Sequence, residues 1–158
     1  MDKVCLKGMS RDELESWCLG AGESRYRGQQ IFEWMYHHGI LSFDNMSNLN
    51  KKFCEYMKKN CTIQTLEVEE KAISKVDKTT KILFRTVDSQ FIETISMIDR
   101  SRHTVCISSQ VGCALDCSFC ETGKIGLKRN LSTGEIVDQL IFVRDYEKQP
   151  ITNVVFMG

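Results

Sequence analysis

TVCIS (104–108), QVGCALDCSFCETGKIGLKRNL (110–131), STGEIVDQLIFVRDY (132–146) and ITNVVFM (151–157) follow one another along the chain, and their order decides the fold. The first is short, β-branched and apolar, as a buried strand requires. The second is rich in glycine and has no sustained period, so it reads as a loop. The third opens on Ser132 with Glu135 three residues later, the reciprocal cap of a helix start. Its apolar residues Ile136, Val137, Leu140, Ile141 and Val143 or Arg144 fall on an inner side at helical spacing. Pro150 breaks the chain. The fourth is a second strand, apolar enough to expect burial on both faces. Strand, helix and strand at this spacing make one βαβ unit of a parallel sheet. A single crossover cannot cover both faces of such a sheet or close a barrel, so the chain is expected to be part of a longer protein.

Upstream, the pattern is antiparallel. Thr62–Val68 and Lys81–Val87 are β-branched and apolar with partial alternation, and the 76–80 segment between them reads as a turn. Phe91–Met97 alternates fully. Ile92, Thr94 and Ser96 fall on one face, and Phe91, Glu93, Ile95 and Met97 on the other. Further upstream three helical patterns open the chain. Ser10 and Glu13 form a capping box before Leu14, Trp17 and Cys18, with Gly20 or Gly22 as the stop. A second helix runs from about Tyr26 to His38, with Ile31, Trp34, Met35 and His38 on one side and Gly39 as its end. A third starts near Asn48, turns Leu49, Phe53, Tyr56 and Met57 inward, and ends at Asn60. The boundaries expected are a helical domain at 1–61, an antiparallel β extension at 62–99 and a βαβ start at 100–158.

Composition narrows the class. With 42% apolar and 27% charged residues the chain is that of an ordinary globular protein. The N-terminus lacks an apolar signal core, and no apolar run approaches the roughly twenty residues that span a bilayer. A cytoplasmic protein with no membrane partner is expected. In a reducing compartment eight cysteines point to metal binding or catalysis rather than to disulfides. With 21 basic and 21 acidic residues, bulk charge gives no argument for nucleic acid. Locally, Arg100, Arg102, Lys124, Lys128 and Arg129 outnumber Asp116 and Glu121, which suits phosphate or equally a solvated loop. In the helical domain acids nearly cancel bases, and Tyr26, Phe32, Trp34 and Tyr36 are expected in the core. The three histidines have no ligand spacing, and His37-His38 reads as a helix end.

Gly112-Cys113-Ala114-Leu115-Asp116-Cys117-Ser118-Phe119-Cys120 carries the chemistry. Three thiolates at this spacing can ligate three irons of a cubane. The fourth iron is left open, which is how a metal site admits a substrate or cofactor. The motif lies just past the C-terminal end of a parallel strand, where α/β folds place active sites. Structural zinc would want four ligands, and only Cys106 is near enough to be the fourth.

The triplet Cys113, Cys117 and Cys120, with Phe119 before the last cysteine, resembles the radical-SAM superfamily. That likeness implies a [4Fe–4S] cluster whose open iron binds S-adenosyl-L-methionine and cleaves it to a 5′-deoxyadenosyl radical, with Phe119 counted among the cofactor-binding residues. CISSQVGCALDCSFCETGKIGLKRNLSTGEIVDQL (106–140), PITNVVFMG (150–158) and ESRYRGQQIFEWMYHHGILSFDNMSNLNKKF (23–53) are together similar to the radical-SAM adenine-C2 methyltransferases of 23S rRNA and tRNA, the RlmN family. The resemblance implies an α/β fold: a small helical RNA-binding accessory domain, a β extension, and the first βα units of a partial (βα)6 TIM-type barrel, truncated here. It implies methylation of C2 of an adenine at the peptidyl-transferase centre and next to the tRNA anticodon, through a methyl-cysteine near the family's C-terminus. By position, Cys106 would match the catalytic cysteine that forms a transient disulfide, and Glu93 the proton acceptor. On their own terms Cys106 could be a small buried hydrophobe, and Glu93 a solvated strand carboxylate or the partner of Arg85 or Arg100; a base role would need burial. The partners implied are 23S rRNA, tRNA and a flavodoxin-type electron donor, with the protein a monomer. Two other readings stand beside this one: a C8-specific Cfr-type rRNA methyltransferase and, for these residues alone, a non-catalytic cluster- or RNA-binding fragment.

Overall fold

The computed structural model describes residues 3–157, which fall into two compact units meeting at Thr65 and Leu66. No helix among the described residues is long and apolar enough to cross a membrane.

The first unit is helical. A short strand, β1 (Val4–Cys5), pairs in parallel with β2 (Cys61–Thr62), so the unit's two ends are tied side by side. Helix α1 (Arg11–Gly20) starts with the expected capping box at Ser10 and Glu13. The second helix is not uniform: α2 (Tyr26–Phe32) passes into a π-helical turn over Glu33–His37, and Gly39 ends it at φ +62°. Helix α3 (Lys51–Asn60) is capped by Asn50, two residues later than expected. The core gathers Leu6, Leu14, Ile31, Met35, Met46 and Met57 at 0–1% exposure. Tyr56 is exposed instead of inward, and Cys54 takes the buried place, because the inward stripe runs 53, 54, 57. Tyr26 is also exposed, its ring under the Arg27 guanidinium, and His38 lies against Trp34 at the surface.

The second unit is one five-stranded sheet with a helix on one face. Strands β3 (Leu66–Ile73), β4 (Thr80–Thr86), β5 (Phe91–Asp99) and β6 (Arg102–Ser108) form an antiparallel meander in that order. Strand β9 (Asn153–Met157) joins β6 in parallel, pairing Cys106 with Val155. The sequence placed a strand at 62–68; the long strand begins at Leu66 and continues to Ile73, with a bulge between Val68 and Glu70. Between β6 and β9 run a two-residue strand β7 (Gln110–Val111), the cysteine segment, a one-turn helix α4 (Glu121–Lys124), strand β8 (Arg129–Asn130) paired to β7, and helix α5 (Thr133–Glu147). Helix α5 has the expected capping box at Ser132 and Glu135.

Alternation sets the two faces of this sheet. Ile82, Phe84, Ile92, Val105 and Ile107 are buried with Val143 of α5, which, rather than Arg144, is the inward residue of that turn. A polar seam crosses this core. The Gln139 amide, fully buried, accepts from Thr94 Oγ1 (2.8 Å) and from Ser108 N (2.8 Å), and donates to Ser108 O (2.9 Å) and Glu135 O (3.2 Å). Every polar atom of that amide is satisfied, as burial demands. Strand β9 is exposed rather than buried on both faces, with Phe156 at 64%, because it is an edge strand among the described residues.

Candidate metal centre and the sheet face beside it

Cys113, Cys117 and Cys120 sit on one excursion that leaves the sheet at the C-terminal end of β6 and returns at β8. All three thiols are free and half-buried. The segment turns sharply: Asp116 is held at φ +45°, and Cys120 N donates to Cys117 O at 3.0 Å. Helix α4 follows at once and packs back on it, since a Cβ on Gly123 would lie 3.1 Å from Cys117 N. Phe119 and Leu115 point outward, 90% and 79% exposed. Where the excursion starts, Gly112 adopts φ +75° and comes so close to Gly126 that a Cβ would lie 1.8 Å from the Gly126 carbonyl oxygen.

The donor set decides which metal group these thiols suit. A single zinc ion needs its sulfurs within about 2.3 Å of one point. Among the described residues no three His, Cys, Asp or Glu side chains converge in that way. A cubane cluster makes no such demand, because each thiolate takes a different iron and the ligands stand apart. Three thiols on one turning segment are the number and kind of donor that a cubane cluster with one open iron takes. Cys106 is not a fourth donor within such a group.

Cys106 and Glu93 lie on the sheet face opposite α5. Cys106 pairs with Ile95 on β5, and Glu93 pairs with Leu83 on β4. Since side chains two apart share a face, Glu93, Ile95 and Cys106 point the same way. Cys106 is half-buried, not a fully enclosed hydrophobe. The Glu93 side chain is 49% exposed and accepts from Lys81 Nζ at 2.8 Å. Its partner is therefore Lys81, the diagonal neighbour on β4, and neither Arg85 nor Arg100. Arg85 reaches across to Glu67 and Glu69 on β3.

The basic residues near the cysteines are largely committed. Arg129 donates to Asp88 through Nε and Nη2 at 2.8 and 2.6 Å, and to Glu135 through Nη1 and Nη2 at 2.9 and 2.8 Å. Lys124 pairs with Glu121, Lys128 reaches Gln90 and Arg102 reaches Asn153. Arg129 thus leaves the set of residues free to meet phosphate. The Arg129 guanidinium, with the Thr86 hydroxyl, holds the Asp88 carboxyl well below the usual carboxylate range. Burial pushes Glu135 up, but the bonds from Arg129 and Ser132 outweigh it and hold it low as well. His103 is buried, between Ser96 Oγ (2.9 Å) and Gln149 O (3.2 Å), and takes no part in a ligand group.

Comparison with known proteins bears on this arrangement. Residues 4–63 match the family model described as the ribosomal RNA large subunit methyltransferase N-terminal domain. The chain is 43% identical, over its whole length, to the dual-specificity RNA methyltransferase RlmN of Geotalea uraniireducens (strain Rf4), covering 45% of that protein. Over its whole length it is similar to the first part of that relative. The RlmN of Geobacter sulfurreducens is 46% identical over 98% of the chain, again covering 42% of the relative. A crystal structure of a radical SAM methyltransferase from Sphaerobacter thermophilus superposes with a TM-score of 0.90 at 36% identity, over 97% of this chain and 47% of that one. The chain therefore spans less than half the length of the RlmN relatives it matches. The RlmN-type N-terminal model coincides with the helical unit, and the α/β fold expected from the sequence stands.

Three features of the site escape sequence reading. They are the Lys81 partner of Glu93, the grip of Arg129 on Asp88, and the Gln139 amide. Only the last leaves a signal, a glutamine four residues after the capping Glu135 on the apolar side of its helix.

Proposed function

We propose that this chain forms the cluster-binding front of a radical-SAM RNA methyltransferase that acts on C2 of an adenine in 23S rRNA and in tRNA. The observation that carries the reading is the presence of three free thiols on one segment that follows the C-terminal end of β6, the strand that bears Cys106. Relatives named dual-specificity RNA methyltransferase, and a structural neighbour named radical SAM methyltransferase, support it.

Cys113, Cys117 and Cys120 would hold a [4Fe–4S] cluster, which with S-adenosyl-L-methionine supplies a 5′-deoxyadenosyl radical. The rest is the chain's own work. Phe119 stands exposed between two of the ligands, where it can lie against the cofactor. The resemblance assigns the proton-acceptor role to Glu93; in this chain its carboxylate is half-exposed and paired with Lys81, so the burial that a base role needs would have to come from bound RNA or from the rest of the protein. Cys106 is a free thiol one diagonal away on the same face, at the position to which the resemblance assigns the cysteine of the family's transient disulfide. The face opposite α5 thus carries a carboxylate and a thiol, and the excursion that follows β6 carries the residues that would hold the metal. A flavodoxin-type electron donor, a monomeric state and a cytoplasmic setting belong to the same proposal.

Anaerobic reconstitution of the chain with ferrous iron and sulfide tests it. Four irons and four sulfides per chain with a broad brown absorbance are expected, and Cys117→Ala abolishes both. Zinc alone, or no metal, overturns the reading. In the full-length Geobacter sulfurreducens relative, mass spectrometry of modified RNA places the methyl on C2 of adenine; a methyl on C8 overturns the regiochemistry.

A further inference from the structure

The excursion that carries the three cysteines has little to hold it from within. Nearly every residue from Ala114 to Lys128 is exposed, the cysteines and Gly123 apart, so no apolar side chain anchors it. Its geometry is set at its feet. There β7 and β8 pair over only two residues each, Gln110 with Asn130 and Val111 with Arg129. A ribbon that short is marginal alone.

The feet are held from outside by one turn of the meander. Asp88, in the turn between β4 and β5, takes two hydrogen bonds from Arg129 at 2.6 and 2.8 Å. Gln90, in the same turn, accepts from Lys128 Nζ at 2.8 Å. The other edge of the Arg129 guanidinium is bound by both oxygens of Glu135, whose capping box starts α5. Arg129 is thus a four-bond junction between the β4–β5 turn, the foot of the cysteine segment and the first turn of α5. A guanidinium suits this place because its planar fork can meet two carboxylates at once.

We infer that Asp88 and Arg129 are positioning residues for the cluster: through Glu135 they fix the base of the cysteine segment, and so the spacing at which Cys113, Cys117 and Cys120 meet the metal. The inference rests on the cluster reading above. Neither residue touches the cluster; they act by holding its ligands, as outer-shell partners do.

The test uses the whole 158-residue chain. Wild type, Arg129→Gln, Arg129→Lys, Asp88→Asn and the control Arg85→Gln, whose ion pairs lie on the far strands, are reconstituted anaerobically and then challenged with an iron chelator. Circular dichroism reports the fold, and the visible spectrum reports the cluster. Arg129→Gln is expected to keep its fold and to release the cluster roughly tenfold faster or more, Asp88→Asn to do so less severely, Arg129→Lys to recover part of the loss, and Arg85→Gln to match wild type. If Arg129→Gln does not fold, Asp88→Asn, on an exposed turn, carries the decision. Release at the wild-type rate from the folded variant overturns the positioning role. A wild-type chain that takes up no cluster overturns the cluster reading instead.

Discussion

Glu93 and Cys106 are diagonal neighbours on one face of the sheet: Cys106 pairs with Ile95, and Glu93 stands two residues before Ile95 on the same strand. Parity alone puts both on the face away from α5, with one open to Lys81 and the other half-buried. A half-exposed carboxylate in a surface ion pair contributes little to folding, about 0–1 kcal/mol. Glu93→Gln is therefore expected to leave urea unfolding of this chain within about 1 kcal/mol of wild type, while the same change in a relative of full family length stops methyl transfer. A large loss of stability in the Glu93→Gln chain would show that its role is to hold the sheet.

The Gln139 amide ties α5 to Thr94 within β5 and to Ser108 at the end of β6. Replacing it with leucine strands Thr94 Oγ1 and both main-chain groups of Ser108 in the core. Each buried polar group left unpaired costs about 1–3 kcal/mol, so Gln139→Leu should cost on the order of 3 kcal/mol or more by urea unfolding. Adding Thr94→Val should recover part of that, because it removes one of the stranded groups. A double variant as unstable as the sum of the two singles would sink the shared-network account.

Much of this could be read from the residues alone, and the failures have physical causes. Both capping boxes, the faces of β5 and the parallel pairing of the 104–108 and 151–157 strands follow from local rules, cap chemistry and period, and the structure shows each of them. Tyr56 departs from its expected inward place because a three-residue step along α3 reaches only the edge of a stripe centred on Phe53, Cys54 and Met57. The π-helical turn after Phe32 is invisible to a 3.6-residue period. Arg129 looked available for phosphate because its carboxylates lie 41 residues upstream and 6 downstream, a pairing that exists only once the β4–β5 turn is folded against β8. At the cysteines the spacing proposes a ligand set, and among the described residues no three such side chains form a metal-holding group.

Acid should weaken the second unit through the same guanidinium. Asp88 and Glu135 are both held below the ordinary carboxylate range of about 4. As pH falls through that range the unfolded chain takes up these two protons before the folded one does. The stability they contribute is therefore fully present above it and is lost as pH drops toward their lower folded values. Thermal midpoints should decline between about pH 5 and pH 3, and Arg129→Gln should flatten that decline by returning both carboxylates toward ordinary behaviour. Parallel profiles for variant and wild type would exclude the Arg129 contacts as the cause.

Gly112→Ala should disturb the cysteine segment without unfolding the sheet. At φ +75° a side chain costs about 1–2 kcal/mol on its own, and here the new methyl would also meet the Gly126 carbonyl at 1.8 Å. The cheapest escape is to part Gly112 from Gly126, which breaks the bond from Lys128 N to Val111 O just below. Amide exchange at Lys128 should then accelerate while that of the β5 and β6 amides stays slow. Unchanged protection at Lys128 would mean that the pinch relaxes elsewhere.

Two glycines of the helical unit should respond to the same substitution with opposite sign. Gly28 lies where α2 crosses α1. A Cβ there would sit 2.4 Å from Glu15 N and 2.7 Å from Leu14 C, against backbone that cannot rotate away. Glu15 is further fixed at this crossing by Arg25 Nε (2.6 Å) at the start of α2, so the helices would have to separate and strain that ion pair, while the Arg11–Glu15 pair (2.9 Å) lies within α1. Gly28→Ala should cost about 1–3 kcal/mol, the usual range for forcing volume into a packed contact. Gly20, at the last position of α1, has nothing within 4 Å of its would-be Cβ. Gly20→Ala should therefore gain a few tenths to about 1 kcal/mol from helix propensity alone. Urea unfolding followed by tryptophan fluorescence reads this unit, since Trp17 and Trp34 both belong to it. Equal shifts at the two sites would refute the close crossing of α1 and α2 at Gly28.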